Sequence, residues 1–230
     1  MVKIDLVTGF LGAGKTTFLK KYAKYLLSKG ENIGILENDF GAVNVDMMLL
    51  ADLMGDHCEL EMVSGGCDAD CHRRRFKTKL IAMGMCGYDR VIVEPSGIFD
   101  VDEFFDALRE EPLDRWYEVG NVIAIVDANL EESLSKEAEY ILASEVANAG
   151  AIVLSHADEV QKDQADAVVA HLNHALEQIQ CPRRVGKEVL RKSTLDLTDQ
   201  DLEQLGQCGY QIESYRKLDT DEKRVFESAY

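Results

Sequence analysis

Short runs of apolar residues alternate with longer amphipathic segments along most of this chain. A short apolar run bounded by glycine or polar residues is typical of a strand that is buried on both faces. Apolar positions three and four residues apart are typical of a helix that packs one face on such a sheet. The pattern predicts strands at 3–7, 32–37, 90–94, 121–127 and 151–155, and helices at 15–29, 71–85, 102–109, 133–148 and 161–178.

This alternation predicts an α/β fold with a doubly wound, mainly parallel sheet and helices on both faces. Two weaker strands are also predicted, one in the stretch 58–67 that ends in a Gly-Gly turn and one near 185–190. The 230 residues contain three prolines and no low-complexity stretch that would act as a linker. We therefore expect one domain over 1–195, with 196–230 as a short C-terminal extension of the same domain.

Polar residues or glycines directly follow each of the five stronger strands. In open parallel sheets, ligands bind at the carboxyl ends of the strands, so these residues are the first candidates for a site. They are the segments 9–16, 37–39, 94–97 and 155–158, together with Asp127.

The first of these segments fits the phosphate-binding pattern G-x-x-x-x-G-K-[ST], and it stands between a predicted strand and a predicted helix. Backbone N–H groups of such a loop cradle phosphates at the positive end of the helix. Lys15 is expected to reach the β- and γ-phosphates, and the Thr16 hydroxyl to bind Mg²⁺. A glycine-rich turn without a ligand is the alternative. The expected nucleotide contacts are Gly12, Ala13, Gly14, Lys15, Thr16 and Thr17.

The strand at 90–94 ends in Glu94, followed by Pro-Ser-Gly. In P-loop enzymes an acid at this place organises Mg²⁺ and the γ-phosphate side. We expect Glu94 to act through a water on Mg²⁺ or to position the attacking water, and Gly97 to let the backbone approach the γ-phosphate. The alternative is an ordinary carboxylate at a strand end.

The sequence SHAD at 155–158 stands where guanine-specific proteins carry N-K-x-D. A carboxylate at Asp158 can accept hydrogen bonds from both N1–H and the amino group of guanine, a pair that adenine does not offer. Ser155 replaces the usual Asn, and His156 replaces a Lys whose stem covers the base, so an imidazole would stack there instead. The alternative is that Asp158 is the N-cap of the next helix.

The charge pattern and the termini exclude several function classes. The formal net charge is −17, and nucleic-acid binders usually carry a basic surface. No apolar run approaches the ~18 residues of a membrane span, and the first strand begins too early for a signal peptide. We expect a cytoplasmic protein whose six cysteines are reduced thiols or metal ligands. The basic run at 72–79 is either a solvated helix face or an anchor for an acidic partner.

Three cysteines and a histidine form a candidate site for a thiophilic ion. Thiolates and imidazoles suit Zn²⁺, Co²⁺ or Ni²⁺. The alternative is that the cysteines are small buried residues that flank a turn. The candidate ligands are Cys58, Cys67, Cys71 and His72.

Together these motifs resemble the CobW/UreG/HypB family of metal-trafficking P-loop GTPases, and the CobW branch most closely. The matching pieces are GFLGAGKTT (9–17), NDFG (38–41), SGGC (64–67), EPSG (94–97) and the degenerate SHAD (155–158). The resemblance implies a G-domain-like P-loop NTPase fold, binding of GTP and GDP, and slow GTP hydrolysis coupled to delivery of a metal or metallocofactor. It also implies that Asp39 is a catalytic residue in the first switch, and two-fold homodimers are frequent in the family.

The chain departs from the CobW pattern in three places. Ala69 stands at the middle position of the usual C-x-C-C, although Cys67 and Cys71 remain. Ala42 replaces the acid that often follows the switch glycine. The larger CobW-like proteins also carry a C-terminal domain, which we do not expect in these 230 residues.

Three function hypotheses follow from these observations. The first is a Mg²⁺-dependent GTPase that acts as a metallochaperone or activator for a client metalloenzyme or metallocofactor-binding protein. The second is a nucleotide-gated switch or scaffold without metal transfer, and the third is a P-loop small-molecule kinase.

Overall fold

A single sheet of six parallel strands organises the chain. The computed structural model describes residues 1–10, 12–39, 45–64, 69–95, 101–131 and 133–217, and only the backbone of 39, 45–47, 64, 69 and 70. The strand order is β3-β2-β4-β1-β5-β6, and all five neighbouring pairs are parallel. The strands are β1 (Val2–Thr8), β2 (Ile33–Asp39), β3 (Cys58–Ser64), β4 (Arg90–Pro95), β5 (Tyr117–Asp127) and β6 (Ala151–Ser155).

Helices cover both faces of the sheet. Helices α1, α2 and α8 pack on one face, and α3 to α7 pack on the other, with a hydrophobic core between the sheet and each helical layer. The helices are α1 (Lys15–Ser28), α2 (Val45–Leu50), α3 (Ala69–Gly84), α4 (Val101–Arg109), α5 (Leu113–Trp116), α6 (Lys136–Asn148), α7 (Lys162–Gln178) and α8 (Asp199–Leu205). None of the helices in the described ranges is both long enough and apolar enough to cross a bilayer.

The fold class predicted from the sequence is confirmed, and the differences concern short elements. The five stronger strands and the five long helices occur within a few residues of their predicted bounds. The expected strand near 185–190 is wrong, because only Leu190 pairs with β6, in an isolated bridge to Val153. Helices α2, α5 and α8 were not predicted, since four to seven residues complete too few turns to show a helical period.

Residues 197–205 pack into the core on the α1 face. Leu197, Leu202 and Leu205 are all buried in the same cluster as Phe18 and Tyr22 of α1. A capping box starts α8, in which Thr198 and Asp201 satisfy each other's backbone N–H groups. The first and last described helices therefore share one layer.

A buried ionic network fixes α1 to the sheet away from the loop that precedes the helix. Asp5 in β1 is fully buried and accepts hydrogen bonds from Arg90 at 2.7 Å, Tyr22 at 2.8 Å and the backbone N–H of Asn121 at 2.8 Å. Removing one partner of such a buried ion pair typically leaves a costly uncompensated charge. The network therefore holds α1 against β1 through Tyr22.

Candidate functional site

The loop between β1 and α1 lies at the carboxyl edge of the sheet, and its first residue lies close to the backbone of β5. Gly9 has φ +145°, and a Cβ at this position would lie 2.2 Å from the carbonyl oxygen of Ile125 in β5. Gly14, directly before α1, has φ +85°. Both conformations favour glycine, and at Gly9 the close approach to β5 also leaves no room for a side chain. The backbone conformation of the loop therefore explains why the phosphate-binding pattern has glycine at these two positions.

Lys15 and Thr16 turn toward the inside of this loop. Lys15 is buried, and its Nζ donates a hydrogen bond to the carbonyl oxygen of Phe10 at 3.0 Å. Thr16 Oγ1 donates to Glu94 Oε1 at 2.9 Å. The structure thus brings together the loop cation, the loop hydroxyl and the strand-end carboxylate that the sequence singled out.

A second buried carboxylate lies beside Glu94. Glu37 in β2 is the register partner of Glu94 in β4, so both side chains point to the α1 face. Both residues are only 3% exposed. Carboxylate and hydroxyl oxygens are ligands that suit Mg²⁺. The end of β2 was predicted as a candidate site, but Glu37 was not predicted as a site residue. The available sequence signal was an acid at the end of an apolar strand.

The end of β6 is tied to the loop through Ser155. Its Oγ donates to the carbonyl oxygens of Ala13 at 2.7 Å and Val126 at 3.2 Å, and the residue is 1% exposed. Ser155 therefore acts as a clamp between the loop and β5.

His156 and Asp158 follow at the same edge. His156 has φ +52°, and its Nδ1 lies 3.0 Å from Asp127 Oδ1. Its ring lies 4.0 Å from the position of a Cβ on Gly14, so the imidazole borders the loop. Asp158 is exposed, and α7 has its N-cap at Gln161, so the N-cap alternative for Asp158 does not apply.

A cavity of about 290 Å³ opens beside Asp127, the partner of His156. Phe10 and Ala13 of the loop form one wall, and the end of β5 with Asp127 forms another. Space for a ligand therefore exists beside the loop, on the side of β5.

The candidate thiophilic ligands separate into two locations. His72, near the start of α3, is buried, and its Nε2 lies 2.6 Å from Asn38 Oδ1 at the end of β2; Cys71 precedes it. Cys58 begins β3, and six residues at about 3.3 Å each separate it from the carboxyl end of that strand. Burial raises the pKa of Cys58 to about 11. The structure does not bring Cys58 to the edge where His72 lies, because a whole strand intervenes.

Several predicted site residues fall outside the described part of the chain. These are Cys67, Gly97 and the side chain of Asp39. Among the described residues, no group of three or more His, Cys, Asp or Glu side chains is arranged to hold a metal ion.

One acid that was not predicted from the sequence contacts the loop from the opposite face of the sheet. Glu145 of α6 is 1% exposed, and its Oε1 accepts hydrogen bonds from Thr8 Oγ1 at 2.8 Å and from the backbone N–H of Gly9 at 3.1 Å. Burial raises the pKa of Glu145 to about 7, although the Thr8 hydroxyl, the Lys15 charge and the Gly9 N–H oppose that shift. A lone acid within a buried helix was the only sequence signal.

Comparison with known proteins places these features in one family. The family described as CobW/HypB/UreG, nucleotide-binding domain, matches residues 3–185. The zinc chaperone YjiA of Escherichia coli (strain K12) is 31% identical over 170 residues, which are 68% of this chain and 50% of YjiA. The zinc-regulated GTPase metalloprotein activator 1 of Schizosaccharomyces pombe is 24% identical over 73% of this chain and 42% of its own length. The chain thus spans about half the length of the curated relatives it matches.

A solved structure supports the fold independently. The signal recognition particle receptor FtsY from Elizabethkingia anophelis has a TM-score of 0.53 and 14% identity, covering 88% of this chain and 61% of FtsY. At this identity the likeness concerns the fold alone.

The buried carboxyl of Glu145 predicts a pH-dependent difference in stability between the wild type and Glu145→Gln. Because its pKa is raised in the folded state from 4.5 to about 7, its stabilising contribution is complete below pH 4.5 and is lost as the pH rises to about 7. The wild type should lose about 3 kcal/mol of unfolding free energy relative to Glu145→Gln across this window.

Urea unfolding of both proteins at pH 4.5, 5.5, 6.5 and 7.5 measures this difference. Asp106→Asn is the control, since Asp106 forms an exposed ion pair with Arg109 and such pairs contribute little. A constant difference between the wild type and Glu145→Gln would contradict the raised pKa.

Proposed function

The chain belongs to the CobW/HypB/UreG family of nucleotide-binding domains, and from this premise we propose that it binds and slowly hydrolyses GTP with Mg²⁺. We further propose that the nucleotide state controls delivery of a metal or metallocofactor to a client protein. The observation that carries the proposal is the hydrogen bond from Thr16 to Glu94 next to the buried Lys15, at the loop that begins α1.

Phosphate binding would use the backbone N–H groups of residues 12–17 and the ammonium of Lys15. The positive end of α1 adds to this field. The oxygen-rich set of Thr16, Glu94 and Glu37 fits Mg²⁺, which would supply charge neutralisation on the phosphates when bound. Thr16 would bind it directly, with Glu94 acting through a water.

Hydrolysis needs a water in line with the bond between the γ-phosphorus and the bridging oxygen. The P–O bond to water forms as the bond to GDP breaks, and the water proton passes to solvent or phosphate oxygen. Positioning and charge stabilisation dominate such reactions, and a missing arginine finger makes isolated turnover slow. The sequence motifs named above contain no arginine, which supports slow isolated turnover.

Guanine recognition would use the exposed carboxylate of Asp158. Its position two residues after His156, with the imidazole ring beside the loop, supports a base site at the end of β6. The Ser155 clamp would transmit the fit of the base to the loop, because it bonds to Ala13 directly.

The metal proposal rests on the relatives and on the start of α3. YjiA is named a zinc chaperone, and Zn²⁺, Co²⁺ and Ni²⁺ all suit thiolate and imidazole ligands. Cys67 and Cys71, with His72, are the proposed contacts. The hydrogen bond between His72 and Asn38 connects this place to β2, whose end also carries Glu37.

Lys15→Ala should abolish tight GTP binding while the fold remains intact, because the lost ammonium would contact phosphate and is not part of the apolar core. The wild type should release phosphate from GTP slowly and faster than from ATP. Nucleotide affinity and phosphate release are measured for both proteins. Lys24→Ala, an exposed lysine of the same helix, should behave as the wild type. Equal GTP affinity or turnover in the wild type and Lys15→Ala would remove the enzyme proposal.

Asp158→Asn should weaken the preference for guanine over xanthine, because an amide cannot accept both hydrogen bonds from guanine. A loss of roughly 1–3 kcal/mol is expected for a paired contact to a base. Competition between GTP and xanthosine triphosphate measures the preference. Asp163→Asn, at an exposed site in the first turn of α7, is the control. An unchanged ratio in Asp158→Asn would place base recognition elsewhere.

Metal and nucleotide should influence each other's affinity, since linkage between two sites is reciprocal. Zn²⁺, Co²⁺ and Ni²⁺ are titrated into nucleotide-free, GDP-bound and GTP-analogue-bound protein. The metal affinity should differ about five- to 150-fold between these nucleotide states. Cys71→Ser should lose this metal binding. Cys86→Ser is the matched control, because Cys86 is exposed and lies beyond the opposite end of α3.

The same titration separates the two leading hypotheses. If nucleotide binds but metal affinity is identical in all nucleotide states, the metallochaperone proposal fails and a nucleotide-gated switch remains.

A further inference from the structure

We propose that Glu145 is a positioning residue of the nucleotide site and that phosphate binding in the loop draws a proton onto this carboxyl. The inference rests on the proposed nucleotide function and adds proton coupling to it. Its basis is the placement of one buried acid directly behind the start of the phosphate loop.

The geometry holds the loop from two sides. On the α6 face, Glu145 Oε1 accepts from Thr8, the last residue of β1, and from the N–H of Gly9, the first residue of the loop motif. On the β5 side, Gly9 lies so close to Ile125 that no side chain fits. A movement of the Glu145 carboxylate should therefore move Gly9, the residue at which the loop leaves β1.

Among the residues that the structure describes, two neutral donors and the cation Lys15 act on this acid. The charge that acts on Glu145 in the described part of the chain is that of Lys15. The other charged groups that neighbouring elements turn toward α6 already have partners: His171 of α7 pairs with Glu139, Asp102 of α4 pairs with Lys217, and Arg183 donates to carbonyl oxygens at the end of α6.

Phosphate binding should shift the equilibrium between ionised and protonated Glu145 toward the protonated form. The triphosphate brings negative charge close to Glu145, and it also neutralises the Lys15 ammonium that favours the ionised carboxylate. Both changes favour the protonated acid, whose pKa is already raised to about 7 by burial. Binding near neutral pH should therefore take up a proton, and by linkage the nucleotide affinity should fall as the pH rises.

The test compares the pH profile of nucleotide affinity in the wild type and in Glu145→Gln. The amide retains an oxygen acceptor for Thr8 and Gly9 and resembles the protonated acid, so its binding should remain tight. Dissociation constants for GDP and a non-hydrolysable GTP analogue are measured with Mg²⁺ at pH 6.5, 7.5 and 8.5. Titration of the nucleotide itself affects both proteins equally and cancels in their ratio.

Wild-type affinity should fall about three- to 30-fold relative to Glu145→Gln between pH 6.5 and 8.5, below the limit of tenfold per pH unit for one proton. Calorimetry in two buffers of different ionisation enthalpy should show more proton uptake by the wild type at pH 7.5. Glu139→Gln, another acid of α6 that pairs with His171 away from the loop, should follow the wild-type profile.

Parallel profiles with equal proton uptake would overturn this inference while leaving the nucleotide function intact. A folded Glu145→Gln protein that fails to bind nucleotide at every pH would also overturn it, because the neutral form is the one that binding should favour. Absence of nucleotide binding in the wild type would remove the proposed function itself.

Discussion

Parallel pairing of all six strands is the constraint on which the rest of the structure depends. It brings every strand's carboxyl end to one edge, so residues far apart in sequence meet there. Strand β1 lies between β4 and β5, so the phosphate loop that follows it lies between the carboxyl ends of these two strands. Register then decides the neighbours, since Glu37 lies beside Glu94 only because β2 and β4 pair at these residues.

Two buried acids, Asp5 and Glu145, differ in the groups that compensate their charge. Asp5 is paired with the guanidinium of Arg90 and with a tyrosine hydroxyl, a set that compensates its charge and fixes α1. In the described part of the chain, Glu145 accepts its hydrogen bonds from a hydroxyl and one backbone N–H. A buried carboxylate without a directly paired cation responds to added charge nearby. The first acid therefore suits a structural role, and the second suits a position next to a charged ligand.

The first two residues of the SHAD sequence, Ser155 and His156, contact the phosphate loop and the end of β5. Ser155 is shorter than the asparagine usual at this position, yet its hydroxyl reaches the carbonyl oxygen of Ala13. His156 adopts a left-handed backbone conformation, uncommon for a residue other than glycine, and Asp127 holds its ring. The link between β6 and the phosphate loop thus persists with serine in place of asparagine.

The sequence by itself determined the α/β class, the five stronger strands and the phosphate-loop motif, because period and glycine spacing are local properties of a chain. Only the tertiary structure decided which polar residues meet. It placed Glu145 behind Gly9, 136 positions apart in sequence, and separated Cys58 from His72 by the length of β3. Strand register and helix packing set such distances, and both depend on contacts that no local pattern records.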